Sequence, residues 1–197
     1  KPTIDVARFN RDITLPYSLR LEDFASAMLD VYDFFYDVNS MLIGNGLPRL
    51  DDMLRPAAMS GVLSDMLTAS IARHSRGLVE NAYFNGHPDL VQRGMYTGNA
   101  VQSGAHGIEI KSTRKRGGAV DTHGARDQWL CVFVYLVDDA TEPAIARAPT
   151  RFTEVYLAEV KQDDFRENAR GRLGTRTATL DRNGVAKLRS GWVYLDN

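Results

Sequence analysis

Trp129 to Val137 reads Trp-Leu-Cys-Val-Phe-Val-Tyr-Leu-Val, apolar at every position. With no polar side to turn toward water, this segment is expected to be a strand buried on both faces and central in a sheet. Such a strand needs apolar material above and below it. Phe152 to Val160 reads as a further strand. The N-terminal third reads as helices. Leu21, Phe24, Met28, Val31, Phe35, Val38 and Leu42 recur at steps of three and four, one stripe on a long helix that Gly44 and Gly46 end. Arg49 to Leu54 reads as a short helix, and Met59, Val62, Leu63, Met66, Leu67 and Ile71 mark a second long one that frays around His74 to Gly77. Leu78 to Phe84 either continues that helix or leads into the first strand. Gln162 to Arg170 reads as a short helix. In the tail, Arg176 to Leu180 and Val185 to Leu188 flank Asn183-Gly184, a strong hairpin signal, with Trp192 to Leu195 as an edge strand. Helices first and strands after imply an α+β fold with a mixed sheet. One domain is expected: a helical part (1–77), a sheet core (78–160), and a C-terminal helix and hairpin (161–197).

The 197 residues are enough for one sizeable domain. An apolar content of 44% and a charged content of 25% are those of an ordinary globular protein. A net charge of −1 gives nucleic-acid binding no general support, so any cationic contact has to be local. No apolar stretch approaches membrane-spanning length, and Lys1-Pro2-Thr3-Ile4-Asp5 has no apolar signal core. No membrane partner is expected. The single cysteine, Cys131, reads as a small buried hydrophobe. It excludes an intrachain disulfide and a cysteine zinc site, and a reducing, cytoplasmic setting is expected.

The chemistry-bearing residues form two short segments, His87-Pro88-Asp89-Leu90 and Gly107-Ile108-Glu109-Ile110-Lys111-Ser112. In a strand, residues two apart point to one face. Glu109 and Lys111 therefore share a side, and Ile108 and Ile110 pack on the other. The glycine-rich stretch between the segments (Thr97-Gly98-Asn99, Ser103-Gly104-Ala105-His106-Gly107) suits the turn of a hairpin. Carboxylates that converge can hold Mg²⁺, a hard cation that takes oxygen ligands and keeps several waters. A neighbouring lysine can orient water or neutralise charge on a phosphate. Together they are the minimum set for metal-assisted hydrolysis of a phosphodiester.

Pro88-Asp89 followed by Glu109-x-Lys111, each half flanked by apolar residues, resembles the active site of the PD-(D/E)xK nuclease superfamily. This superfamily includes most type II restriction endonucleases, mismatch-repair nickases and Holliday-junction resolvases. The resemblance runs from Pro88 to Lys111 directly and, with neighbouring strands and a helix, from Leu78 to Val160. It implies a restriction-endonuclease-like sheet. It implies Mg²⁺ held by Asp89, Glu109 and the backbone carbonyl of Ile110, with Lys111 at the scissile phosphate or the attacking water. Double-stranded DNA is the implied substrate, and a small type II restriction enzyme, acting as a homodimer on palindromic sites, is the first expectation. The apolar stripe of the first helix is a candidate dimer interface, although such stripes more commonly pack in a core. A repair nickase, a junction resolvase, or a non-enzymatic DNA-binding module with a coincidental motif are the alternatives. Some members carry an upstream helical glutamate near the metal. Glu80 stands in that place as an accessory candidate, against the plainer reading of an exposed helix charge. Related exonucleases carry Gln-x-x-x-Tyr after the lysine, and Gln128 and Tyr135 do not match that spacing.

Arg114-Lys115-Arg116, followed by Gly117-Gly118, leaves the Lys111 strand as a basic loop suited to DNA phosphates. His87, His106 and His123 lack zinc-ligand spacing and read as loop histidines. Asp30, Asp33 and Asp37 read as a solvated helix face. No GxxxxGK[ST] or GxSxG motif is present, so nothing supports an ATPase or a serine hydrolase.

Overall fold

In a computed structural model, which describes residues 1–167 and 177–196, the N-terminal stripe becomes helix α1 (Leu21–Gly44). Asp23, itself buried, accepts the Arg20 backbone N–H at 2.9 Å and caps the first turn. Helix α2 (Leu50–Met53) and helix α3 (Pro56–His74), the latter started by a proline at its first position, follow. Phe24, Met28, Val31 and Phe35 of α1 and Met59, Leu63, Leu67 and Ile71 of α3 enter one core with the sheet. From Leu21 to Phe35 the apolar stripe of α1 is thus spent on the core, while Val38 and Leu42 near its end stay half-buried outside that cluster.

The strands are β1 (Leu78–Glu80), β2 (Leu90–Gln92), β3 (Gly107–Thr113), β4 (Asp121–Thr122), β5 (Gln128–Leu136), β6 (Arg151–Val160), β7 (Phe165–Glu167) and β8 (Ala178–Leu180). Helix α4 (Arg182–Ser190) and β9 (Trp192–Leu195) close the chain. Six strands form one mixed sheet in the order β1-β2-β3-β5-β6-β9. The β3–β5 pair is parallel and its neighbours are antiparallel. The α+β class with a mixed sheet is as expected. Leu78 leads into a strand, not on into the helix.

β5 is central and buried on both faces. Cys131, Phe133 and Tyr135 face the helices. Leu130, Val132 and Val134 face a second core with Val120, Tyr156, Leu180 and Leu188. That second core is covered by α4 and by a small sheet, β4-β8-β7.

The expected C-terminal hairpin is not formed. Asp181 accepts the Gly184 N–H at 2.8 Å and caps a helix there. Asn183-Gly184 therefore lies in the first turn of α4, while Leu188 reaches the second core. Gly184 serves close packing: a Cβ there would stand 2.3 Å from the Asp164 carbonyl oxygen. The helix expected from Gln162 to Arg170 is a single 3₁₀ turn (Gln162–Asp164) leading into β7, its last three positions lying outside the described residues, as does Arg176. Trp192 to Leu195 is the expected edge strand, paired with β6.

Gly107 opens β3 with φ +156°, and a Cβ there would stand 1.9 Å from the Leu90 carbonyl oxygen. The β2–β3 contact exists only because this position has no side chain. Gly107→Ala is expected to cost about 2 kcal/mol or more and to separate the Asp89 segment from β3; urea unfolding measures the loss.

Candidate active site

β2 and β3 pair with Leu90 opposite Ile108 and Val91 opposite Gly107. One further step along that register sets Asp89 across from Glu109. Directly opposite residues of an antiparallel pair point to the same face, so the topology itself brings the carboxylates together. Pairing stops at this step. The freed Ile110 N–H is taken by Asp89 Oδ2 at 2.8 Å, which fixes the carboxylate at the mouth of the split.

The segment before Asp89 is held from behind by Asn81. Its side-chain amide donates to the carbonyls of Pro88 (3.0 Å) and Val101 (2.8 Å), and its backbone N–H donates to the Asp89 carbonyl at 2.9 Å. The glycine-rich stretch also clasps His87, whose N–H donates to Gln102 O at 3.0 Å and whose carbonyl accepts the Gly104 N–H at 2.8 Å.

Glu109 and Lys111 share one face of β3, and Ile108 and Ile110 lie in the core behind them, as alternation requires. Lys111 Nζ is 2.5 Å from Glu109 Oε1 and 3.9 Å from Asp89 Oδ2. His87 Nδ1 stands 2.8 Å from Glu109 Oε2, although no donor meets that buried oxygen in hydrogen-bond geometry.

The environment sets the carboxylates apart. Burial, with the Glu109 charge adding to it, raises the Asp89 carboxyl to about 6. Burial also acts on Glu109, but His87 and Lys111 outweigh it and hold its carboxyl below the usual range. Burial works against the charge of Lys111, yet the carboxylates beside it hold its ammonium above its ordinary value.

Two cavities meet at these residues. One, of about 440 Å³, is lined by His87, Glu109, Arg126 and Gln128 among others. The second, of about 610 Å³, runs beside α3 past Ser60 and Ser64 to Lys115. Asp89, Lys111 and His123 border both. His123, which the sequence sets in a polar loop entering the central strand and bordering the site without a role of its own, sits at the junction.

Of the basic loop, Lys115 lines the second cavity. Arg114 lines it too, but its guanidinium turns back to Asp139 at 2.6 Å and to the Val137 carbonyl at 3.3 Å. Arg116 is exposed and lines neither. Glu80 carries the exposed charge of the plainer reading, on a strand in place of a helix. It is exposed on strand β1, paired to Leu90, and lines neither cavity, so it does not join the accessory position. Asp30 accepts from Ser70 at 2.5 Å and meets His74 at 2.8 Å, packing α1 to α3 on the helical side.

His87, Asn81 and Gln128 are not legible as site residues in the sequence. The only signal there is the adjacency of His87 to Pro88-Asp89.

The donor set suits a hard cation. Asp89 and Glu109 present carboxylate oxygens on one face, and Glu109 Oε2 is buried with His87 Nδ1 at 2.8 Å but no donor in hydrogen-bond geometry. Among the described residues no group of three or more His, Cys, Asp or Glu is placed to enclose a metal. Mg²⁺ needs no such cage, since one or two carboxylates and waters suffice. No helix among the described residues is long and apolar enough to cross a membrane. No protein-family model matches the chain, and no curated protein matches it either.

Proposed function

We propose that the protein is a Mg²⁺-dependent endonuclease of PD-(D/E)xK type that hydrolyses DNA phosphodiester bonds, most like a type II restriction enzyme. The observation that carries this reading is the meeting of Asp89, Glu109 and Lys111 at the point where β2 parts from β3. A parallel β3–β5 pair flanked by antiparallel strands supports a restriction-endonuclease-like sheet.

Asp89 and Glu109 would hold the cation, with the Ile110 carbonyl as the third protein ligand that the resemblance implies. When bound, Mg²⁺ lowers the pKa of water and offsets negative charge on the phosphoryl oxygens. Lys111 is the group beside both carboxylates that can donate to a phosphate oxygen or to the attacking water. Burial of these charges strengthens every such contact. The trough past Lys115 gives the DNA backbone its path, and a homodimer would place two such centres on the two strands.

Lys115→Ala with Arg116→Ala is expected to weaken DNA binding uniformly across sequences. It should flatten the dependence of log K on log[salt] by about one unit for each phosphate that is no longer neutralised. Fluorescence anisotropy at several salt concentrations measures the slope, and an unchanged slope removes the loop from the interface.

The substrate class is tested on linear, unmethylated phage DNA with Mg²⁺. Discrete fragments are the expected result. Cutting confined to mismatched or branched substrates would assign the same chemistry to a repair nickase or resolvase. Intact DNA in every case would overturn the proposal.

A further inference from the structure

Among the described residues, the buried side-chain atoms without a hydrogen-bond partner are both amide atoms of Gln128 and Glu109 Oε2, the latter approached by His87 Nδ1 at 2.8 Å outside hydrogen-bond geometry. They belong to two residues that line one cavity. A buried polar group left without a partner is destabilising, and native proteins keep few of them. Gln128 could have been apolar: the next residues on its face of β5, Leu130 and Val132, are.

The β3–β5 register places Gln128 at the site. Glu109 lies beside Leu130, and Gln128 precedes Leu130 by two, hence on the same face. Its amide arises roughly 7 Å along the neighbouring strand. Its residue is only 7% exposed.

The cavity's lining indicates what the amide is kept for. Imidazoles apart, no aromatic and no aliphatic side chain lines it among the described residues; Asn85, Thr122, His123 and Arg126 do. A nucleobase would want an apolar or stacking wall. A hydrated cation beside a phosphate wants polar groups of the kind present. Glutamine supplies both an acceptor for water hydrogens and two donors for carboxylate or phosphate oxygens.

We infer that Gln128 is a positioning residue of the centre, holding by its amide the water that joins a divalent cation at Asp89 and Glu109 to the protein. The assignment rests on the proposed function and adds a residue to it. Partners one step out from metal ligands of this kind typically contribute 10–100-fold in metal affinity.

The test is calorimetric titration of Mn²⁺ into wild type, Glu109→Gln and Gln128→Leu, with thermal unfolding in EDTA as the check on folding. Wild type binds, and Glu109→Gln binds far more weakly. Gln128→Leu is expected to unfold at the same or a higher temperature, since it removes an unpaired buried amide, yet to bind Mn²⁺ about 10–100-fold more weakly. Gln128→Met, of similar length and apolar, serves if the leucine variant does not fold. Wild-type affinity in either folded variant overturns the role of Gln128 and leaves the proposed function standing. Failure of both variants to fold makes Gln128 a structural residue and overturns it also. Absence of Mn²⁺ binding by folded wild type overturns both readings.

Discussion

Asp89→Asn is expected to lower Mg²⁺-dependent DNA cleavage by about 10³-fold or more while leaving the protein as stable as wild type or more so. The two halves of this result have one origin. Asp89 faces Glu109 across the split in the sheet, and burial and the Glu109 charge both work against its ionisation. An asparagine oxygen can still accept the Ile110 N–H that Asp89 Oδ2 takes at 2.8 Å, so the local backbone is held as before. What disappears is a negative charge that the fold keeps at its own expense, which is the pattern of a site selected for function over stability. Lys111→Ala is expected to be equally inactive but less stable, because it leaves the buried Glu109 and half-buried Asp89 carboxylates facing each other without their shared cation. Cleavage rates beside thermal unfolding in EDTA separate these outcomes. Wild-type turnover in either variant would refute the assignment.

Asp51→Ala is expected to destabilise the fold by about 3–5 kcal/mol. Asp51 is buried at the start of α2 and pairs with the buried Arg49. It also accepts from Thr150 at 2.7 Å, while Arg49 donates to the Arg147 carbonyl at 2.8 Å. The cluster ties the helical layer to the entry of β6, and alanine would strand the guanidinium without its counter-charge. Burial raises the Asp51 carboxyl, but the contacts with Arg49 and Thr150 outweigh it and hold the folded value below the ordinary one. The sign follows from linkage. Stability from Asp51 is present in full above the unfolded-state value of about 3.9. It is lost as pH falls through the lower folded value. Urea unfolding from neutral pH down to strong acid should show a smaller wild-type advantage over Asp51→Ala at the acid end. A constant difference would contradict the account.

The Asp89, Glu109 and Lys111 triplet is readable because strand alternation is local: Glu-x-Lys sets a shared face without knowledge of the neighbours. The central strand is readable for the same reason, since Leu130 to Tyr135 carry no polar position to orient them. The tail misleads because Asn183-Gly184 satisfies two local rules. Its turn propensity is genuine, but Asp181 two residues upstream of Asn183 offers a cap, and Leu188 finds the second core only when α4 is helical. Helix α3 ends at His74, where the sequence expects it to fray; Leu78 to Phe84 reads either way, and the strand places Glu80 on β1, away from a helical accessory position. His87, Asn81 and Gln128 are hidden in the sequence because their roles depend on register between segments distant along the chain. Gln128 reaches Glu109's side only through a parallel crossover that passes by β4. The basic loop reads as three equivalent cations, whereas Arg114 is committed to Asp139.

Incubation of supercoiled plasmid with the protein tests the central claim most directly, with Mg²⁺ or EDTA and with wild type or Asp89→Asn. The account predicts nicked or linear product with wild type and Mg²⁺, and intact plasmid in EDTA or with the variant. Intact plasmid with folded wild type in either Mg²⁺ or Mn²⁺, or equal cutting by Asp89→Asn, would contradict it.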